Sequence, residues 1–582
     1  MRQGLHGQGA SRGNALGRAR VREPHALEVA ETRIAAGDAP AELQRLHAAI
    51  AQVRAEIRAM RDQLHGALAH EVGEFLDLHT LLLDDPELLQ GLDELVMTRL
   101  YGADYALRLQ RDRLAAVFEA MDDAYFRSRI EDIDHVIGRV HAALHAHEAE
   151  LQGVAGEILV SDAIAPSEIG RLQARGVLGV VTSSGSTLSH SAILARSLHL
   201  PLVVNAPHAL AQINDGDVLM IDGASGEVIV EPNADDLRRY RDRLREEKRE
   251  RKQLRRLRRE PSKTLDGVDI RLYANAESRE DVAEAHALGA AGVGLYRTEF
   301  LFLQGRRIPD EEEQFRAYRD LVLGMTGRTV TIRTLDIGAD KADETGLALR
   351  HEPNPAMGLR GVRLSMARDG LLLTQLRAIV RASGYGPVRV LVPMISGREE
   401  VLAVRALLDR AQRELRAAGH GTAERIPFGA MIEVPSAAIA LPAFVRELDF
   451  ISIGTNDLVQ YLLAADRNND ALGDLYSPLH PAVIRLLHGV VRIARGRGMP
   501  VSVCGEIAGD ARFTPLLLAL GLEELSLHPS PLLEVRRAIR ALDLGHLRAR
   551  LPTLLRARDR AGLERWLDAA QPLHAPHRDA RA

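Results

Sequence analysis

Residues 428–457 read FGAMIEVPSAAIALPAFVRELDFISIGTND, two short apolar runs, FGAMIEV and FISIG, on either side of a helix-like segment. That arrangement is a strand, a helix and a second strand. It recurs in both directions along the chain. VDIRLYANA (268–276), VGLY (293–296), VTIRTLD (330–336) and VRVLVPMI (388–395) precede it, and VSVCG (501–505) and ELSL (524–527) follow, each leading into a helical pattern. Eight such repeats in about 300 residues predict a (β/α)8 barrel. It is placed at 263–570, with a frayed tail at 571–582.

Toward the amino terminus the text changes. RRYRDRLREEKRERKQLRRLRREPSK (238–263) mixes both signs of charge so densely that few of its faces can be buried. A nucleic-acid tract would want stacking aromatics, but Tyr240 stands alone and Asp242, Glu246, Glu247, Glu250 and Glu260 interrupt the basic run. A solvated helix joining two domains, 233–262, is the better reading. Before it, EILVSD, GVLGVVTSS, PLVVNA, DVLMIDG and GEVIVEP are β-branched runs parted by Gly, Asn and Asp, which predict a compact α/β unit over 150–232. ALGRARV (15–21) reads as one more strand, and residues 1–25 are assigned to the same unit. Between them, 26–149, apolar residues recur three and four apart, the mark of a bundle of amphipathic helices. Asp84, Asp85 and Pro86 stand where a cap and a first-turn proline belong.

The bulk composition excludes several classes of function. The chain has 582 residues, 75 basic against 80 acidic, for a formal charge of -5, so no global field draws it to nucleic acid or to an anionic membrane. A single cysteine makes no internal disulfide, and the start MRQGLHGQGASRG lacks the apolar core of a secretion signal, so a cytoplasmic setting is expected. No run reaches about 18 uninterrupted apolar residues, and no membrane insertion is expected.

Side chains at the carboxyl-terminal ends of barrel strands share one mouth. There the sequence places Arg297, Glu299, Arg333, Asp336, Asp340, Lys341, Glu433, Asn456, Asp457, Arg467, Cys504 and Glu506. Taken singly, each is as well explained by a salt bridge closing the barrel top. Together, several cations and several carboxylates suit a polyanion, phosphate above all, held with a hard divalent metal. Lysine occurs only at 248, 252, 263 and 341, and arginine supplies the other 71 basic residues. Lys341 therefore reads either as a place where a compact ammonium was required or as a chance survivor of that composition. Cys504 reads either as an inert buried thiol or, near metal and cations that would lower its pKa, as a proton donor or acceptor. In the other unit, a Gly/Ser-rich turn delivers His190 to the first turn of a helix, where backbone N–H groups favour a negative group on the imidazole. The plainer reading is that Ser189 caps the helix and His190 is one of 22 histidines.

SGSTLSHSAILARSLHLPLVV (184–204), GVGLYRTEFLF (292–302), TIRTLDIGADK (331–341), SIGTNDLVQYLLAADRNND (452–470) and VCGEIAGD (503–510) together resemble enzyme I of the bacterial sugar phosphotransferase system. The resemblance runs in order over nearly the whole chain. It implies a swivelling phosphohistidine domain with an inserted helical subdomain that docks the carrier protein HPr, a linker, and a barrel that binds phosphoenolpyruvate and Mg2+ and forms a homodimer. It further implies that His190 is phosphorylated, that Arg297, Arg333 and Arg467 hold phosphoenolpyruvate with Asn456 and Asp457 beside them, that Glu433 and Asp457 bind the metal, and that Cys504 protonates the enolate to pyruvate. Lys341 is added to the substrate contacts.

The chain departs from that family's pattern at three places. The loop before His190 is Gly185, Ser186, Thr187, Leu188, Ser189, which has Thr187 in place of the usual Arg and Leu188 where the family has Thr; Ala339 replaces a Gly before Asp340 and Lys341. Asn354 to Arg360 has lost two aromatics through Ala356 and Leu359. Two alternatives follow from the same residues: the nitrogen-related paralogue with a regulatory carrier, and a non-catalytic regulator that binds phosphoenolpyruvate or the carrier.

Overall fold

The computed structural model of the chain describes residues 3–22, 31–63, 79–119, 130–144, 155–303, 307–338 and 352–571, apart from 165, 188, 199, 353, 369, 468–471, 473 and 474. The chain divides into two units, Met1–Lys248 and Arg249–Ala582.

Among the described residues of the first unit eight strands form one sheet: β1 Gln3–His6, β2 Gln8–Ser11, β3 Asn14–Val21, β4 Glu157–Ser161, β5 Gly179–Thr182, β6 Leu202–Val204, β7 Val218–Asp222 and β8 Glu227–Val230. Their order is β1-β8-β7-β3-β4-β5-β6-β2. The block from β3 to β6 is parallel and the flanking pairs are antiparallel. The two-residue period of a strand sends Ile158 and Val160 into one apolar cluster with Val181 and Val203, and Leu159 into another with Val180 and Leu202. This second cluster also takes Leu46, Leu92, Leu107 and Val136. These belong to helices Ala39–Gln63, Pro86–Met97, Ala103–Glu119 and Ile130–Leu144, so the bundle lies on one face of the sheet. Asp85 caps the second of them, its carboxylate accepting from Glu87 N at 2.8 Å, with Pro86 in the first turn; such a cap contributes about 1 kcal/mol.

Strands β1 and β2 exceed what the sequence suggested, because QGLH and QGAS carry too few β-branched or apolar residues to show. Only Gly7 separates them. Its N–H donates to Gly226 O at 2.9 Å, and a Cβ there would lie 2.6 Å from Val204 O. The charged helix spans Ala234–Arg256 and passes into a 3-10 turn at Leu257–Arg259. It ends before Pro261 instead of running to 262, since proline disfavours helical geometry in the residue before it.

In the second unit β9 Arg271–Ala276, β10 Gly292–Tyr296, β11 Thr329–Arg333, β12 Val388–Val392, β13 Phe428–Ile432, β14 Phe450–Ile453, β15 Val501–Val503 and β16 Glu524–Leu527 run parallel, and β16 closes on β9. Each coincides with one of the eight runs read from the sequence, β10 and β11 beginning one residue earlier, at Gly292 and Thr329. Leu295, Leu391, Met431, Phe450 and Cys504 meet inside the barrel, while Val293, Val390, Ala430 and Ile451 face the surrounding helices. Gly429 leaves room for the Phe450 ring, since a Cβ there would stand 2.5 Å from Phe450 Cζ. At the amino-terminal end of the strands, buried Glu524 is paired with Arg271 at 2.7 Å. The chain is thus a multidomain α/β protein with a closed eight-stranded barrel. Among the described residues no helix is long and apolar enough to cross a membrane.

Candidate active site at the barrel mouth

The strands place their next residues around one opening. β10 is followed by Arg297, Thr298 and Glu299; β11 ends in Arg333 and turns through Asp336; Glu433 follows β13, and Cys504 follows β15. After β14, Asn456 and Asp457 lie in the first turn of helix Thr455–Leu463.

The buried guanidinium of Arg333 is 3.1 Å from Glu299 Oε2 through Nη2 and 3.1 Å from Asp336 Oδ2 through Nη1. Burial works against its charge, but Glu299, Asp336 and Glu433 outweigh that and raise its pKa above the ordinary arginine value. Asp336 is gripped from its other side by Arg360, whose Nη2 is 3.1 Å from Asp336 Oδ2 and 3.5 Å from Asp457 Oδ2. Burial alone would raise the Asp336 pKa; Arg333 and Arg360 bring it below the usual value. Arg360 also donates to the Tyr461 hydroxyl at 3.2 Å, and that hydroxyl donates to Ala356 O.

One oxygen each of Asp336, Glu433 and Asp457 lies within 4.8 Å of the others. Glu433 Oε1 accepts from Met394 N at 2.6 Å, and Met394 takes the left-handed backbone conformation, φ 58°, to present that N–H. Burial, then Asp336 and Asp457, push the Glu433 pKa up to about 8. Asp457 Oδ1 is buried without a hydrogen-bond partner. An orphaned carboxylate oxygen beside two further carboxylates is a donor set that fits a hard divalent cation. The sequence reading named Glu433 and Asp457 for this role; Asp336, noted there only as a strand-end acid, completes the group.

The remaining expected residues are placed as follows. Arg297 Nη1 pairs with Glu277 Oε1 at 2.5 Å, and Arg467 Nη1 is 3.8 Å from Asp457 Oδ1. Asn456 Nδ2 donates to Glu506 Oε1 at 3.0 Å, and Asn456 Oδ1 accepts from Glu506 N at 3.1 Å. Lys341 and Asp340 lie outside the described residues. Cys504 is buried in the inner barrel cluster, its thiol 3.5 Å from Ile453 O. The lowered thiol pKa expected from nearby cations is corrected here: burial dominates and pushes it up to about 11. A thiol so held stays protonated at neutral pH. Sequence reading also passed over Arg360, which it saw only as the last residue of the altered Asn354–Arg360 stretch.

His190 belongs to the other unit. It opens helix His190–Ser197, and Ser189 is the cap, its hydroxyl accepting from Ala192 N at 3.3 Å. Arg196 of the same helix donates to Thr187 O and to Ala10 O, both at 2.9 Å, tying the preceding loop to β2.

Comparison with known proteins identifies three family domains along the chain. Residues 251–544 match the PEP-binding domain of PEP-utilising enzymes, residues 153–226 their mobile domain, and residues 6–129 their N-terminal domain. The phosphoenolpyruvate-protein phosphotransferase of Cupriavidus necator is 44% identical over 548 residues, 92% of this chain and 94% of that protein. Those of Geobacillus stearothermophilus, 38% identical over 92% of this chain and 93% of theirs, and of Bacillus subtilis, 37% over 93% and 95%, are similar too. With three matched domains in order and that identity over nearly its full length, the chain belongs to the enzyme I family of phosphoenolpyruvate-protein phosphotransferases.

Proposed function

We propose that the chain moves the phosphoryl group of phosphoenolpyruvate onto His190 and then onto a histidine of the carrier protein HPr, releasing pyruvate as the first step of sugar phosphotransfer. The observation that carries this reading is the meeting of Arg333 with Asp336, Glu433 and Asp457 at one mouth, cations for a phosphoryl group beside oxygen ligands for a metal.

In this reading the bridging P–O bond of the enol phosphate breaks, an N–P bond forms at the His190 imidazole, and the enolate takes a proton at carbon. Arg297, Arg333 and Arg467, with Asn456 and Asp457, hold the substrate, and Lys341 is proposed as a further contact. Phosphoryl transfer proceeds through a loose, anionic transition state, so fixed cations do most of the catalytic work. Glu433 and Asp457, joined by Asp336, would hold Mg2+, which when bound neutralises charge on the substrate oxygens. Cys504, kept as a thiol, delivers the proton. The acceptor lies in the unit Met1–Lys248 and the substrate contacts in Arg249–Ala582, so the reading requires His190 to visit the mouth and leave it.

The domain plan proposed with it is a phosphohistidine domain at 1–25 and 150–232, a carrier-docking helical subdomain at 26–149, a linker at 233–262, and a barrel at 263–570 that also forms a homodimer in the cytoplasm. The test is direct. Full-length protein given phosphoenolpyruvate and Mg2+ should acquire acid-labile phosphate on His190, and His190→Ala should take none while still binding phosphoenolpyruvate. A folded wild-type sample that takes no label would favour a non-catalytic regulator, the reading that the altered loop Gly185–Ser189 keeps open.

A further inference from the structure

Helix Leu371–Ala382 buries Leu372, Leu376 and Ile379, and on the same face it buries Gln375. An amide in such a place costs free energy unless its donors and acceptor are satisfied. Here they all are. Gln375 Oε1 accepts from Leu335 N at 2.9 Å; Nε2 donates to Thr298 Oγ1 at 3.2 Å and to the Tyr318 hydroxyl at 3.0 Å. Thr298 Oγ1 in turn donates to Arg333 O at 3.0 Å.

The partners at one end of this network are significant. Leu335 N and Arg333 O are main-chain atoms of the turn that leaves β11, flanking the residue between them, and the turn carries Arg333 and Asp336. Its outer side is held by Glu299, whose Oε1 accepts from Asp336 N at 2.8 Å. At the other end the network runs from Tyr318 to Gln314, and from there to Pro309 O, without touching the mouth. Gln314 is as deeply buried as Gln375.

We propose that Gln375 is a positioning residue: with Thr298 it fixes the backbone of the β11 turn so that Arg333 and Asp336 stay aimed at the mouth. The inference rests on the reading of that mouth as the phosphoenolpyruvate site. An apolar side chain of similar size would fill the same space in the helix packing, but it would leave the Leu335 N–H unpaired and free the turn to move.

The full-length chain is tested by single-turnover labelling of His190 at graded phosphoenolpyruvate, and by hydrogen exchange of the segment containing Leu335. Gln375→Leu is expected to raise half-saturating phosphoenolpyruvate at least fivefold and to speed exchange of that segment at least tenfold. Gln314→Leu, which cuts the remote end, should leave both within twofold. A smaller folded fraction lowers the labelled amount but leaves half-saturation where it was. If Gln375→Leu does not yield folded protein, Thr298→Val carries the test, with a rise of at least threefold. The proposal is overturned if Gln314→Leu moves both readouts as far as Gln375→Leu does, or if neither Gln375→Leu nor Thr298→Val moves them. Wild-type protein that takes no phosphate defeats the functional reading instead, and the exchange comparison then decides alone whether Gln375 holds the turn.

Discussion

Arg360 grips both oxygens of Asp336, with Nε 3.2 Å from Oδ1 and Nη2 3.1 Å from Oδ2. The same Nη2 reaches toward Asp457, so one guanidinium neutralises two of the three carboxylates that would ligate a cation. Breaking a buried ion pair by removing one partner costs about 3–5 kcal/mol, and we expect Arg360→Met to lower the stability of the metal-free protein by about that much. It should also tighten Mn2+ binding at least threefold, measured by titration calorimetry, because the carboxylates lose their internal competitor. Unchanged or weaker metal binding would show that Arg360 and the cation do not compete.

Glu433 sets a pH dependence. Its carboxyl has an ordinary pKa of 4.5 and one of about 8 when folded, so between those values the native protein holds a proton that the unfolded chain has released. The stabilisation is complete below about pH 4.5 and is lost as pH rises toward 8. Urea unfolding of metal-free protein should therefore show stability falling from pH 5.5 to pH 8.5, and Glu433→Gln should flatten that fall. Added Mg2+ should raise the unfolding temperature more at pH 8 than at pH 6, since the ion displaces the proton.

Cys504 should behave as a protected thiol. At pH 8, iodoacetamide should modify it at least a hundredfold more slowly in native than in unfolded protein. Cys504→Ala should reduce turnover by about a hundredfold or more, within the range of general acid catalysis, with half-saturating phosphoenolpyruvate changed less than twofold. Turnover equal to wild type would remove the thiol from the reaction.

Gly454 limits the space behind the metal ligands. A Cβ there would lie 2.7 Å from Glu433 Oε2 and 3.1 Å from Glu433 Cβ, and Glu433 is buried and tied to Met394. Gly454→Ala is expected to cost about 1–3 kcal/mol in overpacking and to weaken Mn2+ binding at least fivefold by turning the carboxylate. A variant that binds Mn2+ as wild type does would mean that Glu433 can shift without leaving the ligand set.

The barrel was legible because each strand is a compact apolar run of three to six residues bounded by glycine or charge. Strand ends then pointed to the mouth, and Arg333, Glu433, Asp457 and Cys504 came with them. Arg360 and Gln375 were not legible. Arg360 arrives from a connection beyond β11, where no strand pattern announces it, and this chain uses arginine nearly everywhere. Gln375 sits in a helix whose apolar period reads as ordinary core, and only its partners reveal why an amide is there. The thiol pKa failed for a related reason: a sequence shows which charges stand near a group, but not how completely water has been removed from it. Strands β1 and β2 are held by main-chain bonds and by glycines that let the backbones close up, neither of which leaves an apolar trace.

The two ends of the first unit's strand order, β1 and β2, are neighbours in the chain with Gly7 alone between them. The sheet must therefore curl until its opposite borders approach, and the nine-residue segment Gln3–Ser11 seams them together. Trimming that segment would unseal both borders at once, baring β8 on one side and β6 on the other as open rows of backbone donors and acceptors, which invite pairing with a second molecule. The opening residues thus guard the unit against self-association, and a fusion or protease cut at that end would be felt across the whole sheet.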